Sequence, residues 1–422
     1  MGPGDRIRDS RIGILPKSLA WRRAILITLG LMAMVSTFVA VKDAVIGGID
    51  FQWSGAHLLA QHQDPWKTYI DGDPQREIIL GQQPNYLAEF YLLLSPLGRM
   101  PFPRALEWWC GLNLLFLAGN LFLARRMFHL DRDHTILLTL LVLSSTPFRV
   151  TMSNGQHGIF ILLMLGLVFY ARSSWAKGIA LGISFGKYSF SPLVVMVLLV
   201  KKRLDVILIS IIPPLVGLLI AWRMLGEKLR TLAFEPIATS KLAMGPGNGD
   251  IMTPLEIFLR NHEVGAGPSY TVPALFGLTV AIVVAVWIGR NRCLDERMQF
   301  AVAIVMTLFC FKHVEYDFVV LLVPIAAALM APKSGSRTIV LLGMVHFWFL
   351  MSIVNRIFPA RVYAPEVMLY SAFLLAMGIA TSRLYSEPEA VETDDGTVPV
   401  NSVAITENIG AFPLDPAAER TT

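Results

Sequence analysis

Charge is scarce in this chain: Asp, Glu, Lys and Arg supply 16% of its 422 residues, while 54% are hydrophobic. A soluble domain carries about a quarter charged residues, so the composition excludes an ordinary soluble globular protein. Cysteine is nearly absent. Cys110, Cys293 and Cys310 lie far apart, form no metal-ligand spacing, and read as reduced packing residues. Walker sequences, dinucleotide fingerprints and zinc-ligand runs are also missing, so we expect neither a bound metal nor a cofactor. The net charge of +5 does not point to nucleic acid, because the basic residues stand in short runs beside apolar segments, where they orient a membrane protein.

What the chain has is long hydrophobic runs. A hydrocarbon core about 30 Å thick needs roughly 20 apolar residues of helix per crossing. Residues 1–23 carry Arg6, Arg8, Arg11, Lys17, Arg22 and Arg23, which predicts a cytoplasmic N-terminus and an uncleaved first span over 24–46. A large extracytoplasmic loop follows (47–105), with a short apolar helix at 86–97 expected to lie in the interface. Further runs at 106–124, 134–148, 159–171, 204–225, 273–289, 300–311, 318–331, 338–354 and 363–381 alternate with basic loops on one side. Between 178 and 200 the run is broken by Gly186, Lys187, Tyr188 and Ser189, and both flanks are basic, which predicts a hairpin of two short helices with Lys187 at its tip. A second large loop covers 226–272. The expected class is an all-α, polytopic integral membrane protein of about ten transmembrane helices over 24–381, with a disordered cytoplasmic tail at 382–422.

This topology rests only on apolar runs and Lys/Arg placement, yet it sends the unusual polar groups to one face. Asp50, the turn Asn154-Gly155-Gln156-His157, Lys187, His313, Glu315, Asp317 and Arg356 all emerge on the extracytoplasmic side. The cytoplasmic side offers short basic loops and a tail. Chemistry is therefore expected at the outer face, drawing on a membrane-borne activated donor because no cytosolic nucleotide is available there.

Five stretches, in this order, resemble a known family. They are Asp50-Phe51-Gln52-Trp53 with Asp64-Pro65-Trp66, the run closing in Ser95-Pro96-Leu97 and Pro101, Asn154 to His157, Gly178 to Lys187, and His313 with Tyr316. Together they are similar to the GT-C membrane glycosyltransferases, and most closely to glycosyltransferase family 87, the polyprenyl-phosphate-mannose-dependent mannosyltransferases. The chain departs from the family pattern at Asn85 to Glu89, where the family has Tyr-Pro-Pro, and at Tyr188, which no proline follows until Pro192.

The resemblance implies a GT-C-like bundle that transfers a sugar, mannose first, from a polyprenyl-phosphate donor to a lipid or glycan acceptor by a single inverting displacement. It implies Asp50 as general base, at an apolar edge where desolvation raises a carboxylate pKa toward the working pH. Lys187 would pair with the donor phosphate, or snorkel to lipid phosphates. His313 would bind phosphate or orient the acceptor, and Gln156 and His157 would contact sugar or phosphate. Arg356 is a further phosphate candidate, and Glu89 a carboxylate that would assist Asp50. Asp64 reads as a turn residue, and the tryptophans as an interfacial belt or sugar platforms. A transporter or flippase of a lipid-linked sugar is the main rival, although such proteins place charge near the bilayer midplane.

Overall fold

Helix is the main regular structure among the residues described by the computed structural model, 18–243, 247–357 and 364–385. Apolar chains in hydrocarbon must satisfy every backbone polar group internally, and helices do so. α1 (Leu19–Ala44) leads to a first loop carrying α2 (Trp53–Ala60), α3 (Pro65–Ile70) and α4 (Ala88–Gly98). Then come α5 (Phe102–Phe128), α6 (Arg132–Ser144), α7 (Thr146–Ser153), α8 (Gly158–Tyr170), α9 (Ser174–Ser184) and α10 (Ser191–Val200). α11 (Leu204–Ser210) and α12 (Ile212–Leu225) precede a second loop with α13 (Leu229–Ala243) and α14 (Met252–Asn261). The last are α15 (Ala266–Arg290), α16 (Glu296–Cys310), α17 (Leu322–Met330), α18 (Gly335–Val345), α19 (Met351–Ile357) and α20 (Ala364–Arg383).

Six helical stretches among the described residues are long and apolar enough to cross a bilayer: Ala20–Ala44, Phe102–Phe128, Leu204–Leu225, Gly267–Arg290, Gly335–Val354 and Pro365–Arg383. A seventh arises if α6 and α7, bent by 59°, form one span. The expectation of about ten counted further runs that fold as α8, α9, α10, α16 and α17, each of 9 to 15 residues. Even 15 residues of helix reach only about 22 Å, short of the hydrocarbon thickness. α16 illustrates the reason. Every residue from Met298 to Cys310 is buried, so its apolar surface is met by protein on all sides. A helix buried all round and a helix facing lipid have the same composition.

The break at 186–189 is a 3-10 turn, Phe185–Lys187, between α9 and α10. Gly186 lies against the Phe90 ring with no room for a side chain. The Ser184 and Ser191 hydroxyls face each other at 2.8 Å across the turn, giving polar partners where the helix is interrupted. In the first loop, α4 buries Phe90, Tyr91, Leu94 and Leu97 and packs on α2 and α12. The α2 and α4 backbones approach so closely that a Cβ on Gly98 would come within 2.7 Å of the Ala56 carbonyl carbon.

Two tryptophans bolt this loop down, and a third ties α5 to the turn after α7. Trp66 donates to the Tyr86 carbonyl at 3.1 Å, Trp53 to the Leu97 and Met100 carbonyls, and Trp109 to the Gly155 carbonyl at 2.8 Å. Asp64 caps α3 by accepting from the Trp66 and Lys67 amides, the expected turn role. Cys110 and Cys310 are buried, Cys293 is exposed, and all three are free. The basic N-terminal residues before Ser18 and the tail from residue 386 lie outside the described residues.

Candidate active site

Five chain segments meet at one end of the bundle. The start of the first loop is stapled to the turn after α7: Gly48 N–H donates to the Ser153 carbonyl at 3.2 Å, and Asp50 N–H to that of Asn154 at 2.9 Å. Gly155 holds φ +69° in this turn with Phe51 packed against it, a position open to glycine and strained for other residues. The segment after α16 joins through Thr151 Oγ1, which donates to the Tyr316 carbonyl at 2.8 Å. The second loop closes over it where Asn248 N–H meets the His313 carbonyl and Ile251 N–H that of Phe309, both at 2.8 Å. The tip of the α9–α10 hairpin completes the ring.

These segments enclose a cavity of about 230 Å³. Its polar wall is formed by Asp50, Gln156, Lys187, Lys312, His313 and Asp317, and its aromatic wall by Tyr86, Tyr188 and Tyr316. The charged groups form a chain. Asp50 is hydrogen-bonded to the Gln156 side chain, and Lys187 Nζ reaches Gln156 Oε1 at 3.4 Å. Lys187 also pairs with Asp317 Oδ1 at 2.5 Å, and His313 Nδ1 sits 3.1 Å from Asp317 Oδ2. The Lys187 ammonium is additionally 5.2 Å from the Phe190 ring centre and 5.1 Å from that of Tyr316, within cation–π range. His313 Nε2 is buried and has no partner among the described residues.

The two carboxylates are tuned in opposite directions. Burial pushes Asp50 above the ordinary carboxylate range, and the Gln156 hydrogen bond and Lys187 offset this only in part. Burial acts on Asp317 in the same sense, but the Lys187 charge and the His313 hydrogen bond outweigh it, so Asp317 is held low. One carboxylate is therefore disposed to take up a proton while its neighbour stays ionised, the separation that distinguishes acid–base groups from electrostatic ones.

Of the residues singled out from sequence, Asp50, Gln156, Lys187 and His313 line this cavity together. His157 does not. It is wholly buried behind the wall, 3.3 Å from the Tyr86 hydroxyl and boxed by Tyr86, Phe90 and Trp109, and burial drives its pKa well below the usual value. It braces the wall in its neutral form. Glu89 is also absent from the cavity. Phe90 and Tyr91 turn inward from α4, which rotates Glu89 onto α12, against Gly217. Arg356 falls in α19, where its side chain lies outside the described residues. Asp317 is the residue that the sequence reading undervalues, naming it only among the polar groups of the outer face and giving it no role. The available signal is its closeness in sequence to His313, which precedes the 3-10 turn Glu315–Leu321 that carries Asp317.

An all-helical membrane protein with a charged cavity at the ends of its helices, closed by two large loops, is the class these features define. The family model described as glycosyltransferase family 87 matches residues 89–311, more than half of the chain, and the chain belongs to that family. It is a membrane glycosyltransferase. The match includes Gln156 and Lys187, while His313 and Asp317 lie just past its end and Asp50 lies well before its start. No curated protein and no solved structure matches the chain.

Proposed function

We propose that this glycosyltransferase moves a single hexose, mannose first, from a polyprenyl-phosphate donor to a hydroxyl of a lipid or glycan acceptor on the extracytoplasmic face. The observation that carries the reading is the placement of Asp50 in one cavity with Lys187 and His313: a carboxylate of raised pKa beside an ammonium and an imidazole, the groups a phosphate would meet. The cavity, at about 230 Å³, is smaller than the ~300–1,000 Å³ common for ligand pockets and suits one sugar ring rather than an oligosaccharide.

In the reaction the acceptor oxygen attacks the anomeric carbon while its proton passes to the Asp50 carboxylate. The bond from that carbon to the phosphate oxygen breaks on the opposite face, inverting the configuration, and polyprenyl phosphate departs with the electron pair. Lys187 and His313 stabilise the charge growing on the phosphate. Asp317 is a positioning residue: its contact with His313 Nδ1 fixes the orientation of the ring, and its other oxygen holds Lys187 in place.

The test is transfer from labelled polyprenyl-phosphate mannose in membranes containing the wild type or Asp50→Ala. Undiminished product in Asp50→Ala sinks the base assignment. Movement of the donor across vesicles without transfer favours the transporter instead. Sidedness is tested separately in a variant whose exposed Cys293 is replaced by Ser. An impermeant thiol reagent should reach a cysteine introduced at position 50 or 313 from outside, and should fail at position 202.

A further inference from the structure

A second concavity lies at the opposite end of the same helices. Phe122, Arg125, Arg126, His129 and Leu130 from α5 and the turn after it, with Tyr170 at the end of α8, line a space of about 590 Å³. Trp109 of α5 is fixed beside the catalytic cavity by its bond to Gly155, and Arg125 lies roughly 24 Å further along that helix. The two sites are thus at opposite edges of the bundle. We propose that this concavity binds the phosphate headgroup of an anionic phospholipid.

Its cations are available. At the same end of the bundle, Arg22, Lys177, Lys201, Arg203 and Arg297 have carboxylate partners, while Arg172, Lys202, Arg290 and Arg292 form no ion pair among the described residues and do not line this concavity. Arg125, Arg126 and His129 form no ion pair among the described residues. The nearest carboxylates in sequence are otherwise engaged, Asp131 in capping α6 and Asp133 with Arg22. Arg126 is held with its guanidinium carbon 5.3 Å from the Phe122 ring centre, so part of its ordering cost is already met. A pair of guanidinium forks matches phosphate oxygens better than point charges do.

The surroundings favour a lipid over a free anion. Phe122 and Tyr170 are 53% and 43% exposed. Leu115, 67% exposed, lies two turns earlier on the face of α5 that carries Phe122. Together they make an apolar track leading away from the charges along the span, the shape required by a headgroup with an acyl chain. A basic pocket beside a transmembrane helix at the membrane edge has the chemistry of recurrent anionic-lipid sites. The competing explanation is that the arginines only complement the negative C-terminal end of the α5 dipole, which needs no ligand.

Native mass spectrometry of the full-length protein, released from micelles containing phosphatidylglycerol and phosphatidylcholine, separates these. The wild type should retain phosphatidylglycerol selectively. Arg125→Gln/Arg126→Gln should lose about fivefold of that preference per charge removed, or about 25-fold for both, with its thermal unfolding unchanged. Arg125→Lys/Arg126→Lys should keep most of it. Arg290→Gln/Arg292→Gln, an equal loss of unpaired surface charge elsewhere on the bundle, should keep all of it. Inorganic phosphate in excess should not displace the lipid. Selectivity that survives in Arg125→Gln/Arg126→Gln, equal loss in the Arg290/Arg292 variant, or displacement by phosphate alone overturns the proposal.

Discussion

The Lys187 ammonium lies 2.5 Å from one oxygen of the Asp317 carboxylate, and the other oxygen of that group faces the His313 ring at 3.1 Å. Both members of the Lys187–Asp317 pair are largely closed to water, with side chains 12% and 4% exposed. A buried pair is stabilising only while both partners remain.

Removing Asp317 alone should therefore be costly. Asp317→Ala should destabilise the protein by about 3–5 kcal/mol, because it strands the Lys187 charge in the interior. The double variant Lys187→Met/Asp317→Leu should recover most of the thermal stability and none of the transfer activity. A double variant that melts as low as the single one would show that the pair is not what holds this turn.

Asp50 behaves in the opposite way. Because burial raises its folded pKa above the unfolded value, its contribution to stability is largest at low pH and is lost as pH rises through the folded pKa. Asp50→Asn should thus melt no lower than wild type at neutral pH while reducing transfer by about 10²–10⁴-fold. The acid limb of the wild-type rate profile should lie above the usual carboxylate value of about 3.9, and it should disappear from the residual activity of Asp50→Asn.

Asp317 supplies the complementary pH signature. Its folded pKa is lowered, so its stabilisation is complete above the unfolded value and is lost as pH falls through the folded one. Activity should accordingly fail at a higher pH than stability does during acid titration. Thermal melts and initial rates measured on one pH series check the order, and coincident midpoints would contradict the assignment of the two carboxylates.

Glu89 offers a test outside the cavity. Burial raises its carboxyl to about 7, and one of its oxygens is buried without a partner among the described residues. Ionising it costs stability increasingly between its unfolded value and pH 7, up to about 3 kcal/mol. Glu89→Gln should raise the melting temperature at pH 8, have little effect at pH 4, and leave the KM for the donor unchanged. A large rise in that KM would return Glu89 to the site.

Gly155 links backbone geometry to the chemistry. Gly155→Ala forces a side chain into φ +69° and against Phe51 Cβ at 2.7 Å. Strain of this kind costs about 1–3 kcal/mol. Because the Asp50 amide bonds to the adjacent Asn154 carbonyl, the rate should fall as well, whereas Gly72→Ala, at φ +85° in open space, should affect stability without affecting kcat.

Much of this protein is legible in its sequence. Apolar runs and basic flanks are local properties, and they sufficed for the helical class, the broken segment around Lys187 and the loop helix α4. Asp50, Gln156, Lys187 and His313, which share the cavity, stand out in sequence because each lies in a short polar stretch at the end of an apolar run. Span count was less legible: α16 is apolar because protein surrounds it, and burial in protein leaves the same pattern in sequence as burial in lipid.

What the chain determined by itself is a membrane-scale helical protein with rare polar groups at its turns, since hydrophobicity and helical reach act over a few residues at a time. Only the tertiary structure decided which of those groups share a cavity. It brought Asp317 between Lys187 and His313, turned Glu89 onto α12, and sealed His157 behind Tyr86. The physical reason is rotation. A residue's place along a helix follows from sequence, but the face it presents to a partner is fixed only when the helices pack, and at about 100° per residue one position separates the cavity wall from the far side.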